Sequence, residues 1–267
     1  MDIIRPAEGD AFAVYDGRPV DQREWELTRV QGLGINVVGP PPGQHGLDAL
    51  SPAFDWLETL RINSSECRDL SAVSLMTRLK VLAVGGEVEV GVEASRLPAL
   101  ESFGGPYESF PGIQDLDSLR NLAVTWNTNL APLVKAPIVH LAVTEKARVC
   151  GLPRLSSPDS LSSLAVYFAK SLSLDSISSF NNLKSLTLHG CRHITAADQL
   201  LELSLESLVL ENCPLIERYE LLTAVNANMV RVIGRNPFGA EFRAEVGRIH
   251  EDVWIFPPGA RFLPSTF

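Results

Sequence analysis

Lysine is scarce in this chain. Five lysines accompany 18 arginines, 23 basic residues in all against 32 acidic ones, and the formal net charge is −9. The resulting pI near 5.1 disfavours non-specific binding to nucleic acid or to an anionic membrane and slightly favours a basic partner. Aromatic residues are also few, at 7%. The cysteines, Cys67, Cys150, Cys191 and Cys213, show no paired CxxC spacing, so they supply no frame for a metal site. No stretch approaches the roughly 18 continuous apolar residues of a membrane span. The opening MDIIRPAEGDAF has no basic flank followed by an apolar run, so no signal peptide is expected. Together these features predict a cytoplasmic protein.

Motifs for enzymatic chemistry are missing as well. No P-loop and no HExxH occur. The segment GLGINVVGPPPG (32–43) lacks the third glycine of a dinucleotide-binding turn and runs into prolines rather than a helix. His189 and His193 are four residues apart, but Cys191 and Arg192 between them read as a turn, so a zinc site is not expected. No cofactor, metal or catalytic residue is predicted.

What the chain does have is a phrase, leucine–x–x–leucine–x–aliphatic, returning about every 22 residues. It reads LETLRI at 57–62, LKVLAV at 79–84, LRNLAV at 119–124, IVHLAV at 138–143, LSSLAV at 161–166, LKSLTL at 183–188 and LESLVL at 205–210. LESFGG (100–105) and MVRVIG (229–234) are degenerate, each with glycine at its sixth place. A weaker unit, VQGLGI, begins at Val30. A fixed period of this length marks a repeat array rather than a globule with one closed core. The fourth and sixth residues lie two apart, so on a strand they share a face. That face is apolar in unit after unit: Leu60 and Ile62, Leu82 and Val84, Leu164 and Val166, Leu186 and Leu188. Stacked copies then bury as a parallel sheet what one strand cannot bury alone.

This pattern resembles the leucine-rich repeat family, over residues 30–234. Asn127, Cys191 and Cys213 match the Asn or Cys that the family places three positions after the phrase; Glu87, Lys146 and Ala169 do not. Most units look closer to the 22-residue type, and 183–204 to the cysteine-containing type. The resemblance implies an α/β solenoid: a horseshoe with a parallel concave sheet of about ten short strands and an irregular, partly helical convex side. It also implies that Cys191 and Cys213 are buried in turns. Members acting alone serve as adaptors, inhibitors or, in bacteria, immunity proteins that neutralise a toxin.

Around the solenoid (30–234) the sequence predicts an N-terminal cap (1–29) and a C-terminal cap (235–267). Trp25, Leu27 and Val30 read as a capping strand. GPPPGQHG (39–46) reads as a loop. Segments 106–118 and 127–137 contain proline and read as turns or 3₁₀ pieces, whereas 195–204 and 216–227 allow helical turns, the first capped by Thr195. A short helix (241–250) and a strand (252–256) are expected beyond.

The third, fifth and seventh residues of each unit face away from the core. The middle of the fifth column is small: Ala83, Gly104, Ala123, Ala142 and Ala165. Larger groups border it, and the predicted partner-binding residues are Asn121, Trp126, His140, Glu145, Tyr167, Phe168, Ser185, Thr187, His189 and Glu211. Aromatic side chains at such positions carry much of the energy of an interface. Ten strands at roughly 4.8 Å give an arc of roughly 43 Å, which suits a protein or peptide better than a small molecule. The expectation is a monomeric, non-enzymatic module binding a protein or peptide on its concave face. The alternative is a peptide-binding enzyme or substrate-presenting subunit, with a deep pocket joining His140, His189 and Glu145 or Glu211.

Overall fold

In a computed structural model of the chain, the phrase becomes a large, mostly parallel β-sheet with few helices. The structure describes residues 1–4, 11–40, 44–126, 133–145, 151–152, 154–216, 219–233 and 254–255. The chain divides into two compact units, Met1–Thr125 and Trp126–Phe267.

In the first unit the strands are β1 (Asp2–Ile4), β2 (Phe12–Tyr15), β3 (Gly34–Val37), β4 (Thr59–Ile62), β5 (Val81–Val84), β6 (Ser102–Pro106) and all but the last residue of β7 (Asn121–Trp126). They are neighbours in chain order, and from β2 onward every pairing is parallel. β1 runs antiparallel to β2. Equivalent letters of the phrase face each other, as in Leu60↔Leu82 and Ile62↔Val84. These side chains are buried, and each contributes on the order of 1.5–3 kcal/mol of transfer free energy. Gly105, at the sixth place of its unit, still pairs with Val124. A Cβ there would come within 3.4 Å of the Phe103 ring. The buried pair Phe103–Phe110, 4.6 Å between centroids, occupies the volume that an aliphatic side chain fills elsewhere.

The N-terminal region departs from expectation. Residues Gln22–Val30 form an α-helix, α1, rather than a strand. Asp21 and Glu24 close a capping box at its start, and the buried residues are Trp25 and Thr28, one helical turn apart, while Leu27 and Val30 are exposed. The first phrase is also displaced. Ile35 pairs with Leu60 and Val37 with Ile62, so the unit starts at Gly32 and not at Val30. β2 adds one more parallel strand, with Ala13 opposite Ile35 and Tyr15 opposite Val37. In the 39–46 loop, residues 41–43 lie outside the described part; the His45 carbonyl accepts the Arg68 and Asp69 N–H groups.

In the second unit the main strands are β9 (His140–Glu145), β11 (Ser163–Tyr167), β13 (Ser185–His189), β15 (Ser204–Glu211), β17 (Asn226–Ile233) and β18 (Trp254–Ile255), all in parallel pairs. One core row reads Leu141, Leu164, Leu186, Leu208, Val230, and the next Val143, Val166, Leu188, Leu210, Val232. Every member is buried. This register corrects the last unit, which starts at Ala227 and not at Met229; Gly234 lies outside the described residues.

The return segments carry short second ladders. β8 (Leu133–Val134) pairs with β10 (Arg154–Leu155), and β12 (Leu172–Ser173), β14 (His193–Thr195) and β16 (Leu215–Ile216) form a three-stranded parallel sheet. Single 3₁₀ turns complete the coils, including Tyr107–Ser109, Ile113–Asp115, Ala197–Glu202 and Tyr219–Thr223. The two expected helical turns are therefore 3₁₀. Thr195 does not cap the first of them: it ends β14, and Ala196, at φ 53°, stands at the cap position without a side-chain cap. Residues 127–132 and the predicted helix at 241–250 lie outside the described residues. The predicted strand near 252–256 is present as Trp254–Ile255, paired with Arg231–Val232.

Candidate functional site

The sheet face opposite the core is built from alternate strand residues, so its composition follows from the repeat. In the second unit Ser163, Ser185, Ser207 and Met229 form the third column, Ala142, Ala165, Thr187, Val209 and Arg231 the fifth, and Thr144, Tyr167, His189, Glu211 and Ile233 the seventh. Small residues leave the middle low, and the seventh column rises along one side.

Four of the expected contact residues meet there. His189 Nδ1 lies 2.8 Å from Glu211 Oε2. The Tyr167 ring is 5.9 Å and the Phe168 ring 5.0 Å from the His189 ring, the latter edge-on. Burial, reinforced by the Glu211 carboxylate, raises the Tyr167 phenol above its usual range; desolvation and a nearby negative charge both disfavour phenolate. Phe168 is 55% exposed.

The other expected residues are spread out. Ser185 and Thr187 lie half-buried on β13, further back along the same face. His140 is exposed at the start of β9. It is two strands and four residues away from His189, a separation of roughly 16 Å from strand geometry. Asn121, half-buried on β7, belongs to the first unit. Trp126 and Glu145 are the last residues of β7 and β9, and their side chains lie outside the described part. The pocket described below is lined by none of His140, Glu145, His189 and Glu211.

Just past the strands the chain turns in the same way three times. Phe168, Gly190 and Asn212 are the eighth residues of consecutive units, and all have left-handed backbones, with φ of 62°, 66° and 51°. Each N–H still reaches the next coil: Phe168 to the His189 carbonyl, Gly190 to that of Glu211 and Asn212 to that of Ile233, at 2.7, 2.7 and 2.8 Å. Glycine and asparagine take this conformation readily, whereas a bulky aromatic does so at a cost of about 1–2 kcal/mol. The ninth residues, Ala169, Cys191 and Cys213, then turn inward and are buried. Cys213 Sγ donates to the Leu188 carbonyl at 3.2 Å. Its thiol is raised far above the usual range by its contact with Cys191 and by burial, so Cys213 serves the turn and carries no reactive thiolate. The tenth residues, Lys170, Arg192 and Pro214, point out again.

Columns eight and ten enclose a pocket of about 420 Å³, lined by Phe168, Lys170, Gly190, Arg192, Asn212 and Pro214. Of these six, sequence reasoning singled out only Phe168. The signal for the others was present: in this lysine-poor chain two cations occupy the same repeat position in adjacent coils. Among the described residues, no three His, Cys, Asp or Glu side chains form a group able to hold a metal, and no helix is long and apolar enough to cross a membrane. No protein-family model matches this sequence, and no curated protein matches it.

Proposed function

We propose that the chain is a leucine-rich repeat horseshoe acting as a non-enzymatic binding module, with the sheet face opposite the core as the concave surface that receives a protein or peptide. The observation that carries this reading is the second unit's sheet: a low floor of Ala142, Ala165 and Thr187 bordered by Tyr167, Phe168 and His189. Five adjacent strands, β9 to β17, present roughly 19 Å of such surface at the usual strand spacing. A surface of that width with a half-exposed aromatic at its border suits extended chain or a folded epitope. The roles that fit are adaptor or inhibitor, with a toxin-neutralising immunity protein as one specific form. Cys67 and Cys213 are thiols, as suits a reducing compartment such as the cytoplasm.

The test is affinity capture from native lysate followed by mass spectrometry, using the full chain, the double variant Tyr167→Ala/His189→Ala and the variant Thr187→Arg, each checked by circular dichroism. Loss of one captured protein with both variants supports the face as the contact surface. A partner retained by both variants removes the face from the reading. Turnover of a captured peptide would favour the peptide-processing alternative instead.

A further inference from the structure

The pocket beyond the strand ends combines two exposed cations with an aromatic ring. The chain carries a net charge of −9, yet the charged residues lining this pocket are Lys170 and Arg192. Several other cations on this chain face carboxylates, Lys80 and Arg78 to Glu58, Arg68 to Glu89 and Lys184 to Glu206, whereas Arg61 lies over the Phe12 ring and Arg120 donates to backbone carbonyls. Lys170 and Arg192 are exposed and have no carboxylate partner among the described residues. Glu211, in column seven of the same edge, faces His189 with its carboxylate at 2.8 Å.

The apolar half of the pocket is equally specific. The Phe168 ring lies over the Gly190 backbone, where an added Cβ would stand 2.8 Å from Phe168 Cδ1. The ring is held there by a left-handed backbone that phenylalanine adopts at a cost. Pro214 and Asn212 also line the pocket. An aromatic plane, an amide and two cations that face no carboxylate among the described residues are, in one pocket, complementary to a carboxylate with an apolar neighbour.

We infer that this pocket receives an acidic segment of the partner, an Asp or Glu side chain on Lys170 and Arg192 with an adjacent apolar residue on Phe168. The inference rests on the binding-module reading and gives the partner's chemistry at this edge. It reverses locally the preference for a basic partner that the net charge suggests, because a contact answers to the charges within a Debye length rather than to the whole chain.

The test is selection of phage-displayed random heptapeptides on the full chain, in parallel with the charge-reversed variant Lys170→Glu/Arg192→Glu and with Thr187→Arg. Both cations are exposed, so reversal is expected to leave the circular dichroism spectrum unchanged. The expected result is enrichment of peptides with Asp or Glu beside Phe, Leu or Met. Their binding should fall roughly ten- to a hundredfold in the reversed variant, as for loss of charged hydrogen bonds, and weaken as NaCl is raised. Selection of basic or neutral peptides overturns the inference. Acidic peptides that bind the reversed variant equally well but are lost with Thr187→Arg also overturn it, while leaving the sheet face as a binding surface. Retention of no peptide overturns it too, and the binding-module reading then stands or falls on the lysate capture. Preference for polyuridylate RNA or phosphatidylserine vesicles, lost on charge reversal, would assign the two cations to a different class of ligand and overturn it as well.

Discussion

The Phe168 ring occupies the space in which residue 190 would carry a side chain: a Cβ on Gly190 would meet Phe168 Cδ1 at 2.8 Å and Cε1 at 3.2 Å. Residue 190 also has φ of 66°, so glycine is required there twice, once by backbone and once by contact. Gly190→Ala is expected to destabilise the chain by about 1–2 kcal/mol from the left-handed backbone alone and to displace the ring. Urea unfolding measures the first effect, and loss of peptide binding the second. An alanine variant with unchanged stability would show that the ring and the turn are not coupled as described.

Replacing the aromatic itself should give the opposite pattern. Phe168→Gly relieves a left-handed cost of about 1–2 kcal/mol and forfeits ring contacts worth about 0.5–1.5 kcal/mol. The thermal midpoint should therefore hold or rise slightly while binding at the pocket is lost. A fall of many degrees would make Phe168 a structural residue.

The two sides of one strand should respond very differently. Leu186 is fully buried and Ser185, its neighbour, faces away from the core. Leu186→Ala is expected to cost about 2–5 kcal/mol, and Ser185→Ala to stay within about 0.5 kcal/mol. Equal effects in a urea titration would contradict the assigned faces.

Alkaline pH should weaken the fold. Burial, with Asp69 nearby, pushes the Cys67 thiol up to about 11 from 9.0, and burial, with Asp115 nearby, pushes the Tyr107 phenol up to about 12 from 10.0. A group whose proton is held more tightly in the folded state supports folding fully below its unfolded pKa. That support is lost as pH rises through the folded value. Unfolding free energy should thus fall from about pH 9 toward 12, and Cys67→Ala should flatten the lower part of the slope. A slope that the substitution leaves unchanged would assign the loss to other groups.

Much of the sheet was legible because the phrase carries its own geometry. Leu164, Leu186 and Leu208 sit where their spacing puts them, in one buried row. The ends of the array were misread by two residues, at Val30 for Gly32 and at Met229 for Ala227. A two-residue slip keeps every side chain on the same face of a strand, so alternation alone cannot detect it. Helix α1 was missed because Trp25 and Leu27 alternate like a strand, although Asp21 and Glu24 spell a capping box. Of the site, the cluster of Tyr167, Phe168, His189 and Glu211 followed from column arithmetic. The left-handed turn did not: Gly190 and Asn212 are residues that favour it, but Phe168 gives no such sign. Lys170 was not weighed, and Arg192 was read only as part of the turn between His189 and His193.

The division of labour among columns has a consequence for how this chain can change over generations. Positions four, six and nine carry the core, and positions eight and ten line the pocket. Substitutions at position ten that retune recognition therefore fall on a letter of the repeat that the core does not read. The tenth column, held by Lys170, Arg192 and Pro214 on the backbone of three successive coils, offers three nearly independent sites of variation. A lineage of such proteins could diverge in what it recognises while its folding requirements stayed fixed.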